Sequence, residues 1–438
     1  MESKILKLTT GQKLIVAEDP GLPLVDLYLL VRAGSILDSP ATEGAISFMG
    51  EMLLRGTKNR TRAQITDALD QLGAEIHVEV SAEDMMVQGK TLSRNLEKFL
   101  EIYSDIILNP IFDENEIEKL KRETLADFKQ MREDDQELVG RFFKRALYGK
   151  HPYGMLTDGR ESTIPKINRK RLIDSYDALF TQENTFFAAA GEIKAQVLSQ
   201  RLSRDFSAMK KSKPTIVSIP EFEKMEGRTL VLVDKPKRTQ TKVIVGHYGI
   251  NHHHPDFFPM MIANNAFGGG GFATRLMQEV RVKRGWSYGA GSVIRPRKKN
   301  GEFYMVVMPA AKDALNALSL VLSLYETYQK EGISEVEFEL SKKNLINEFA
   351  FKMDTAKKLI GQAISIELMG LPQDYFSTYQ QKLKAVTLAD VNRAVQAHSD
   401  PKNVMMVMVG TASDFKAKLK SQFGPDLKVI LKKYTDDD

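Results

Sequence analysis

The chain of 438 residues is 42% hydrophobic and 27% charged, a composition typical of a globular protein long enough for two to three domains. Its formal charge of +5 arises from 62 basic and 57 acidic residues scattered along the chain, which argues against a nucleic-acid-binding protein. The absence of cysteine excludes disulfides and thiolate metal sites.

The first half of the chain predicts one series of strands and helices. Two apolar strands at its start, the second from Leu24 to Val31, are expected to form a hairpin, and a closing strand should follow a final helix. Asp113 is expected to cap a long helix whose first turn is acidic. The other predicted elements are a helix over 63–72, strands over 76–80 and 84–92, and helices over 96–108 and 114–132.

The second half of the chain repeats these landmarks. The matching positions are Gly11 with Gly227, Phe112 with Ile333, and Asn184 with Asn403, which lie 216, 221 and 219 residues apart. Three landmarks that keep nearly one period indicate an internal duplication. The predicted fold class is therefore α+β, with two homologous domains that each contain a mainly antiparallel sheet flanked by helices. The predicted domains are 1–212 and 226–438, joined by a linker over 213–225.

A block near the N-terminus carries a family resemblance. Residues 31–35, followed by residues 43–57, resemble the start of a domain of the pitrilysin (insulinase) family of zinc metallopeptidases, the inverzincins, and the likeness extends over both copies and the linker. In active members the helix before the Gly-Thr pair, here Gly56-Thr57, carries His-x-x-Glu-His. The resemblance implies that the two domains form one half of a clamshell.

The zinc motif itself is degenerate. Counting back from Gly56-Thr57, Ser47 and Glu51 occupy the histidine positions and Gly50 the position of the general base. A serine hydroxyl is a poor zinc ligand and glycine carries no base, whereas a catalytic zinc needs three protein ligands. Family members add a distal carboxylate, for which Asp127 is the nearest counterpart. Glu51 and Asp127 either hold a hard cation weakly or are solvated remnants. Ser47 has no evident His and carboxylate partners for nucleophilic catalysis.

The second copy retains a different set of family residues, although the first copy has lost the zinc motif. Residues 276–288 resemble the family's C-terminal signature, in which an arginine and a tyrosine seven residues apart face the zinc site of the other half. On this resemblance they are Arg281 and Tyr288, which would bind substrate carbonyls and donate to the oxyanion of the tetrahedral intermediate. The alternative is that Arg281 is an ordinary surface residue and Tyr288 fills a core.

Three further motifs have plainer interpretations. The glycine run lacks a phosphate-loop pattern. The resemblance implies that it is a flexible loop at the substrate cleft; its members are Gly268, Gly269, Gly270 and Gly271. His252-His253-His254-Pro255 is interpreted as a loop with adventitious nickel or zinc affinity, and His398 as an isolated packing or surface residue. The basic run 295–299 is expected to be a solvated hairpin tip.

The function implied by the resemblance is that of a non-catalytic subunit, similar to the partner subunits of two-chain bacterial members and of mitochondrial processing peptidase. The chain would form a heterodimer with a homologous His-x-x-Glu-His subunit, which would supply the zinc; no cofactor is expected in this chain. Peptides would be the substrates and would add to a sheet edge as extended strands. The alternatives are a scaffold, as in the respiratory-complex core subunits that resemble the family, and a peptide-binding module that does not cut.

The compartment stays open on the sequence. No apolar run reaches the about 18 residues of a membrane span, and the first four residues do not have the character of a signal peptide. We therefore expect no transmembrane segment, and a periplasmic location if a signal peptide was removed before Met1, or a cytoplasmic one otherwise.

Overall fold

The computed structural model describes residues 3–213 and 218–437 of the chain, in which strands and helices form two sheets with their own helical layers. The strands are β1 (Lys4–Lys7), β2 (Lys13–Glu18), β3 (Leu24–Val31), β4 (Glu75–Val80), β5 (Met85–Leu92), β6 (Thr185–Gly191), β7 (Thr229–Asp234), β8 (Lys242–Tyr248), β9 (Ser287–Arg295), β10 (Glu302–Pro309), β11 (Met405–Gly410) and β12 (Lys428–Lys433).

The helices agree with the predicted ones wherever bounds were predicted. They are α1 (Ala45–Met52), α2 (Arg62–Leu72), α3 (Leu96–Leu108), α4 (Glu114–Met131), α5 (Asp135–Tyr148), α6 (Arg169–Leu179), α7 (Ala195–Asp205), α8 (Phe257–Asn264), α9 (Ala314–Glu331), α10 (Glu335–Ala350), α11 (Ala356–Met369), α12 (Tyr379–Ala385), α13 (Leu388–His398) and α14 (Lys416–Phe423). In the described part of the chain, none of them is both long and apolar enough to cross a membrane.

Side-chain caps mark the start of several helices. Asp113 accepts hydrogen bonds from the backbone N–H groups of Asn115 and Glu116 at 2.9 and 3.1 Å, which confirms the predicted cap of α4. Thr61 and Ser334 begin α2 and α10 with capping boxes, in which side chain and backbone donors are satisfied reciprocally. These caps fix the first residue of α2, α4 and α10.

The topology of the two sheets confirms the duplication. The first sheet has the order β1-β2-β6-β3-β5-β4 and the second has the order β12-β7-β11-β8-β10-β9. Five strands correspond one to one, and the only parallel pair among those five is β2 with β6 in one sheet and β7 with β11 in the other. The sixth positions differ, because β1 runs antiparallel to β2 whereas β12 runs parallel to β7. The predicted α+β class with two homologous, mainly antiparallel sheets is confirmed.

The predicted opening hairpin is wrong in both copies. β6 lies between β2 and β3, and β11 lies between β7 and β8, so the two apolar strands of each copy do not pair with each other. Residues 19–23 connect β2 to β3, and five residues easily span the roughly 10 Å that two strand spacings require. The central position suits β6, whose side chains are buried along nearly its whole length.

The compact units are not the two halves of the sequence. One unit comprises the described parts of Met1–Phe128, Met155–Ile219 and Lys352–Gly370, and the other comprises Lys129–Gly154, Pro220–Phe351 and the described part of Leu371–Asp438. Each unit thus takes one helix from the other half of the sequence. Of the predicted linker 213–225, residues 214–217 lie outside the described residues.

In the first unit both faces of the sheet are covered. One face forms the larger apolar core with α1, α3 and neighbouring helices. The other face packs against α11, whose Ala356, Ile360 and Ile364 cover Tyr28 and Phe186 together with other strand residues. A helix from the C-terminal half of the sequence therefore completes the core of the first sheet.

In the second unit α5 lies against β8 and β11, the counterpart of the α11 position. Its buried face includes Phe142 and Phe143.

The basic run at the tip of the β9–β10 hairpin was expected to be solvated, but the structure buries one of its arginines. The Arg297 guanidinium donates to both carboxylate oxygens of Glu302 at 3.1 Å and lies 4.9 Å from the ring centroid of Tyr153, which buries most of its side chain.

Candidate functional site

Helix α1 carries the degenerate motif positions in the first unit. Gly44, in a left-handed conformation with φ of 92°, precedes the helix. Ser47 is half-buried, Gly50 is buried and Glu51 is exposed. The helix thus still presents one motif position to solvent, while the position of the general base faces the sheet.

The space beside Gly50 is filled by strand residues. A Cβ atom built on Gly50 would lie 2.9 Å from Cγ1 of Val78 and 3.4 Å from Cγ2 of Val80, both on β4. Real Cβ contacts are essentially never as short as the first of these distances. A glutamate at this position would therefore displace the packing of β4 against α1.

Glu51 lines a recess of about 340 Å³ between α1, α2 and β4. Although the residue as a whole is exposed, the recess walls partly desolvate its carboxylate, which raises the pKa of Glu51. The Arg55 guanidinium opposes that rise, and the carboxylates of Asp127 and Glu123 add to it.

Ion pairs join the end of the motif helix to α4. Arg55, in the short 3-10 helix that follows α1, is buried and pairs with Glu123 and, at 3.4 Å, with Glu116. The Arg55 hydrogen bond holds the pKa of Glu123 below its usual value. Arg62 on α2 also lies 3.4 Å from Glu116. The Arg55 guanidinium thus connects the end of the motif helix to α4. In the arrangement that the resemblance implies, a zinc ion with its distal carboxylate ligand makes this connection.

The donor set of the first unit does not fit a zinc ion. Ser47 offers a hydroxyl in place of an imidazole, and Glu51 and Asp127 offer carboxylate oxygens only. Catalytic zinc takes three strong protein ligands and keeps a further position for water. No catalytic step is therefore assigned to this helix. The weak hard-cation site at Glu51 and Asp127 stays a prediction.

The glycine run of the second unit is folded more closely than an open flexible loop. Helix α8 continues as a π-helix over Asn265–Gly269, and a 3-10 turn covers Gly271–Ala273. A Cβ atom on Gly268 would lie 2.4 Å from the backbone nitrogen of Ser292 on β9, so only glycine allows this approach. Gly271 has φ of 77°, which favours glycine as well.

Arg281 and Tyr288 are brought together by the second π-helix, Met277–Val282, and by the start of β9. The Arg281 Cζ atom lies 4.7 Å from the centroid of the Tyr288 ring and 4.8 Å from the centroid of the Phe272 ring. The Tyr288 side chain is 80% exposed and that of Phe272 is 62% exposed. π-Helical turns are often found at functional sites.

The charges around Arg281 are paired, but Arg281 is not. Arg275 binds Glu337 with two hydrogen bonds, and Lys283 and Arg284 both bind Glu279. Within residues 3–213 and 218–437, no acceptor lies within hydrogen-bonding distance of the Arg281 guanidinium. Its faces contact aromatic rings, whereas its five N–H groups stay available to a molecule outside this chain.

Phe272 is the site residue that the sequence analysis missed. It follows the glycine run directly, and the Gln278 side chain donates to its backbone carbonyl at 2.7 Å. An exposed aromatic residue directly after four glycines was the available signal. Its contact with a residue nine positions later depends on the π-helix, which no periodicity in the sequence indicated.

The histidine motif also differs from its interpretation. His398 is not isolated, because His398 and Arg393 on α13 both bind Asp256, at 2.7 Å and 2.6 Å respectively. These bonds, that of Arg393 foremost, lower the pKa of Asp256 to about 2. His254 lies in the same cluster, in which the potential metal-ligating atoms are within 4.8 Å of one another. Arg393 already neutralises the carboxylate, so the geometry is that of an ion-pair network.

The duplicated fold, with the degenerate motif on a helix of one copy, is the fold that the resemblance to zinc metallopeptidases implies. Residues 13–158 match the family described as insulinase (peptidase family M16), and residues 166–345 match the peptidase M16 inactive domain. The two matches follow each other along most of the chain. The chain belongs to peptidase family M16.

Known proteins resemble the chain over most of its length. A Bacillus subtilis (strain 168) protein named uncharacterized zinc protease YmxG is 22% identical, over 87% of this chain and 92% of its own. The beta subunit of the bovine mitochondrial-processing peptidase is 27% identical over 61% of this chain and 54% of its own. A crystal structure of a peptidase M16 inactive domain from Pseudomonas fluorescens superposes with a TM-score of 0.86 at 24% identity, covering 94% of this chain and 98% of that one, which establishes the shared fold.

Proposed function

We propose that this chain is the non-catalytic subunit of a heterodimeric zinc endopeptidase and contributes Arg281 and Tyr288 to the active site of a His-x-x-Glu-His-bearing partner. The observation that carries the proposal is the state of Arg281, whose guanidinium lies over two exposed rings but has no acceptor in the described chain. A positioned charge with unused donors is what an external peptide or partner would complete.

The chemistry of the two side chains suits peptide hydrolysis. The planar guanidinium is permanently charged and can bind two acceptors in its plane, such as neighbouring carbonyl oxygens of an extended peptide. The Tyr288 hydroxyl can donate to the oxyanion that forms when water attacks the scissile carbonyl. The partner's zinc would activate that water and polarise the carbonyl. This chain would supply electrostatic stabilisation and orientation, and no nucleophile or base.

The division of roles follows from the first unit. Gly50 cannot act as a base, and Val78 occupies the space that a longer side chain there would need. Relatives named as a zinc protease and as a subunit of a processing peptidase support a role for this chain in peptide hydrolysis. The chain alone is therefore expected to cut nothing.

Reconstitution tests the proposal. The purified chain and a homologous zinc-bearing subunit would be assayed separately and together against a quenched fluorescent peptide, and cleavage is expected only from the pair. Arg281→Ala and Tyr288→Phe should each lower kcat/KM by roughly 10- to 1,000-fold, in the range seen for loss of one transition-state donor. Arg284→Ala is the matched control, because Arg284 pairs with Glu279 in the same segment. Unchanged rates in both site variants would refute the proposal.

A peptide-binding role without cleavage is the second candidate. The observation in favour of this role is the recess beside β4, which is the terminal strand of the first sheet. The recess is lined by Glu51, Asp70 and Glu75, among other residues. An extended peptide could add to that strand edge. The same reconstitution separates the two roles, because the second requires that the lone chain bind the peptide while the pair leaves it uncut.

A further inference from the structure

The Cζ atom of Arg281 lies over the rings of both Phe272 and Tyr288, 4.8 Å and 4.7 Å from their centroids. We infer that Phe272 is a positioning residue for Arg281, holding its N–H edge toward planar oxygen acceptors of an extended peptide. The effect of Phe272 on catalysis rests on the proposed function. The contact between Phe272 and Arg281 does not, because both residues lie in this chain.

The geometry explains why two rings are needed. A guanidinium offers its donors in its own plane, and an aromatic ring attracts its face. With one ring, the flexible Arg281 side chain could swing away from that ring. A second ring against the guanidinium leaves the side chain fewer orientations. Its N–H groups meet no acceptor within the described part of the chain.

The loop that carries Phe272 is itself held in place. Gly271 supplies the left-handed conformation before it, and Gln278 binds its carbonyl from the first turn of the π-helix Met277–Val282. The π-helical turn is closed by the Lys283 N–H, which donates to the carbonyl of Gln278 at 2.9 Å. One residue thus anchors both the loop of Phe272 and the turn that presents Arg281.

The exposure of Phe272 argues against a purely structural role. A side chain needed for the apolar core is normally buried, whereas that of Phe272 is 62% exposed. Its neighbour Val282 is exposed to a similar extent, 57%, and carries no ring that could stack on the guanidinium. Val282→Ala therefore removes exposed apolar surface from the same segment without touching the stack.

The stacking is tested on the chain alone by NMR. Ring currents from two flanking aromatic rings should shift the Arg281 δ-methylene protons upfield of the random-coil position. Phe272→Leu should remove part of that shift, Phe272→Trp should preserve it, and Val282→Ala should leave it unchanged. If Phe272→Leu leaves the Arg281 protons where they are, the stack does not exist in solution and the inference is wrong.

The consequence is tested in the reconstituted pair. Phe272→Leu should lower kcat/KM by about two- to fivefold, the size expected of an exposed cation–π contact. Phe272→Trp should restore the rate, and Val282→Ala should match the unaltered chain. If Arg281→Ala impairs cleavage but Phe272→Leu does not, the inference fails and the proposed function stands. If Arg281→Ala itself has no effect, the proposed function fails while the NMR result still decides the stacking.

Discussion

The motif helix of the first copy and the segment around Arg281 in the second copy differ in how their polar groups are satisfied. In the first copy, Val78 packs against Gly50, and Arg55 is paired with Glu116 and Glu123. In the second copy, the Arg281 guanidinium lies over two exposed rings, and its donors have no acceptor within the described residues. The Arg55 guanidinium of the first region is thus paired within the chain, whereas the Arg281 guanidinium of the second is not.

The difference shows how loss and retention of a site can be told apart in one structure. A site that has lost its ligand tends to regain contacts from its own chain, because unpaired buried charges and empty space are unfavourable. A site kept for an external ligand retains exposed donors and exposed apolar surface. Duplication makes the comparison direct, since both regions lie in copies of one sheet topology.

Separating the two copies should have the largest effect. A fragment of residues 1–212 lacks α11 and leaves the sheet face around Ile15, Tyr28 and Phe186 uncovered. Each apolar side chain that loses its cover costs roughly 1.5–3 kcal/mol, against a total domain stability of roughly 5–15 kcal/mol. We expect no cooperative unfolding of this fragment in urea monitored by circular dichroism.

Returning the missing helix should restore folding. Residues 352–370 attached to fragment 1–212 through a flexible linker should give a cooperative transition, and the same fusion with Ile360→Lys should not, because Ile360 is fully buried against the sheet. A fragment 1–212 that unfolds as cooperatively as the intact chain would show that the copies are independent.

Refilling the lost site should have an intermediate effect. Gly50→Glu forces a side chain against Val78 and should lower the free energy of unfolding by about 1–3 kcal/mol, as overpacking does. Adding Val78→Ala should recover part of the loss in a double-mutant cycle. Both free energies would be measured by urea denaturation.

The control places the same side chain where space is open. Gly140 lies within α5, and a Cβ atom there meets nothing within 4 Å, so Gly140→Glu should be neutral or stabilising. Equal destabilisation at Gly50 and Gly140 would contradict a filled site in the first copy.

Repetition and capping could be predicted from the sequence, because both depend on residues at set spacings. The period between Gly11 and Gly227 predicted two equivalent sheets, and Asp113 predicted the start of α4. The resemblance of residues 276–288 to the family signature pointed to Arg281 and Tyr288, and the Arg281 Cζ atom lies 4.7 Å from the centroid of the Tyr288 ring. These features are local in sequence or follow from a matching pattern.

Long-range placement could not be predicted in the same way. Nothing in the apolar run of β2 and β3 indicates that β6 will enter between them, because a buried parallel strand and a hairpin strand have the same composition. Nor does the apolar face of α11 specify which of two similar sheets it covers. Phe272 was missed because a π-helix changes the spacing at which side chains meet.

Removing the ion pairs of Asp256 should have the smallest effect on stability. These pairs belong to the second copy and, unlike Arg281, are formed within the chain. Arg393 and His398 lower the folded-state pKa of Asp256 to about 2 from 3.8. A depressed carboxylate pKa stabilises the fold above about pH 4 and loses that contribution as the pH falls toward 2. Because the Arg393 side chain is 58% exposed, solvent screens the pair, and Asp256→Asn should cost roughly 0.2–1 kcal/mol at pH 7. The difference from the unaltered chain should shrink between pH 5 and pH 3 in urea titrations.

The control for this prediction is Asp390→Asn. The Asp390 carboxylate also has a lowered pKa, chiefly through a hydrogen bond from Thr387, but it closes the capping box of α13 and forms no hydrogen bond with Asp256, Arg393 or His398. Its loss should therefore cost less than the loss of Asp256. A stability difference for Asp256→Asn that stays constant from pH 7 to pH 3 would mean that the carboxylate is not held by Arg393 and His398.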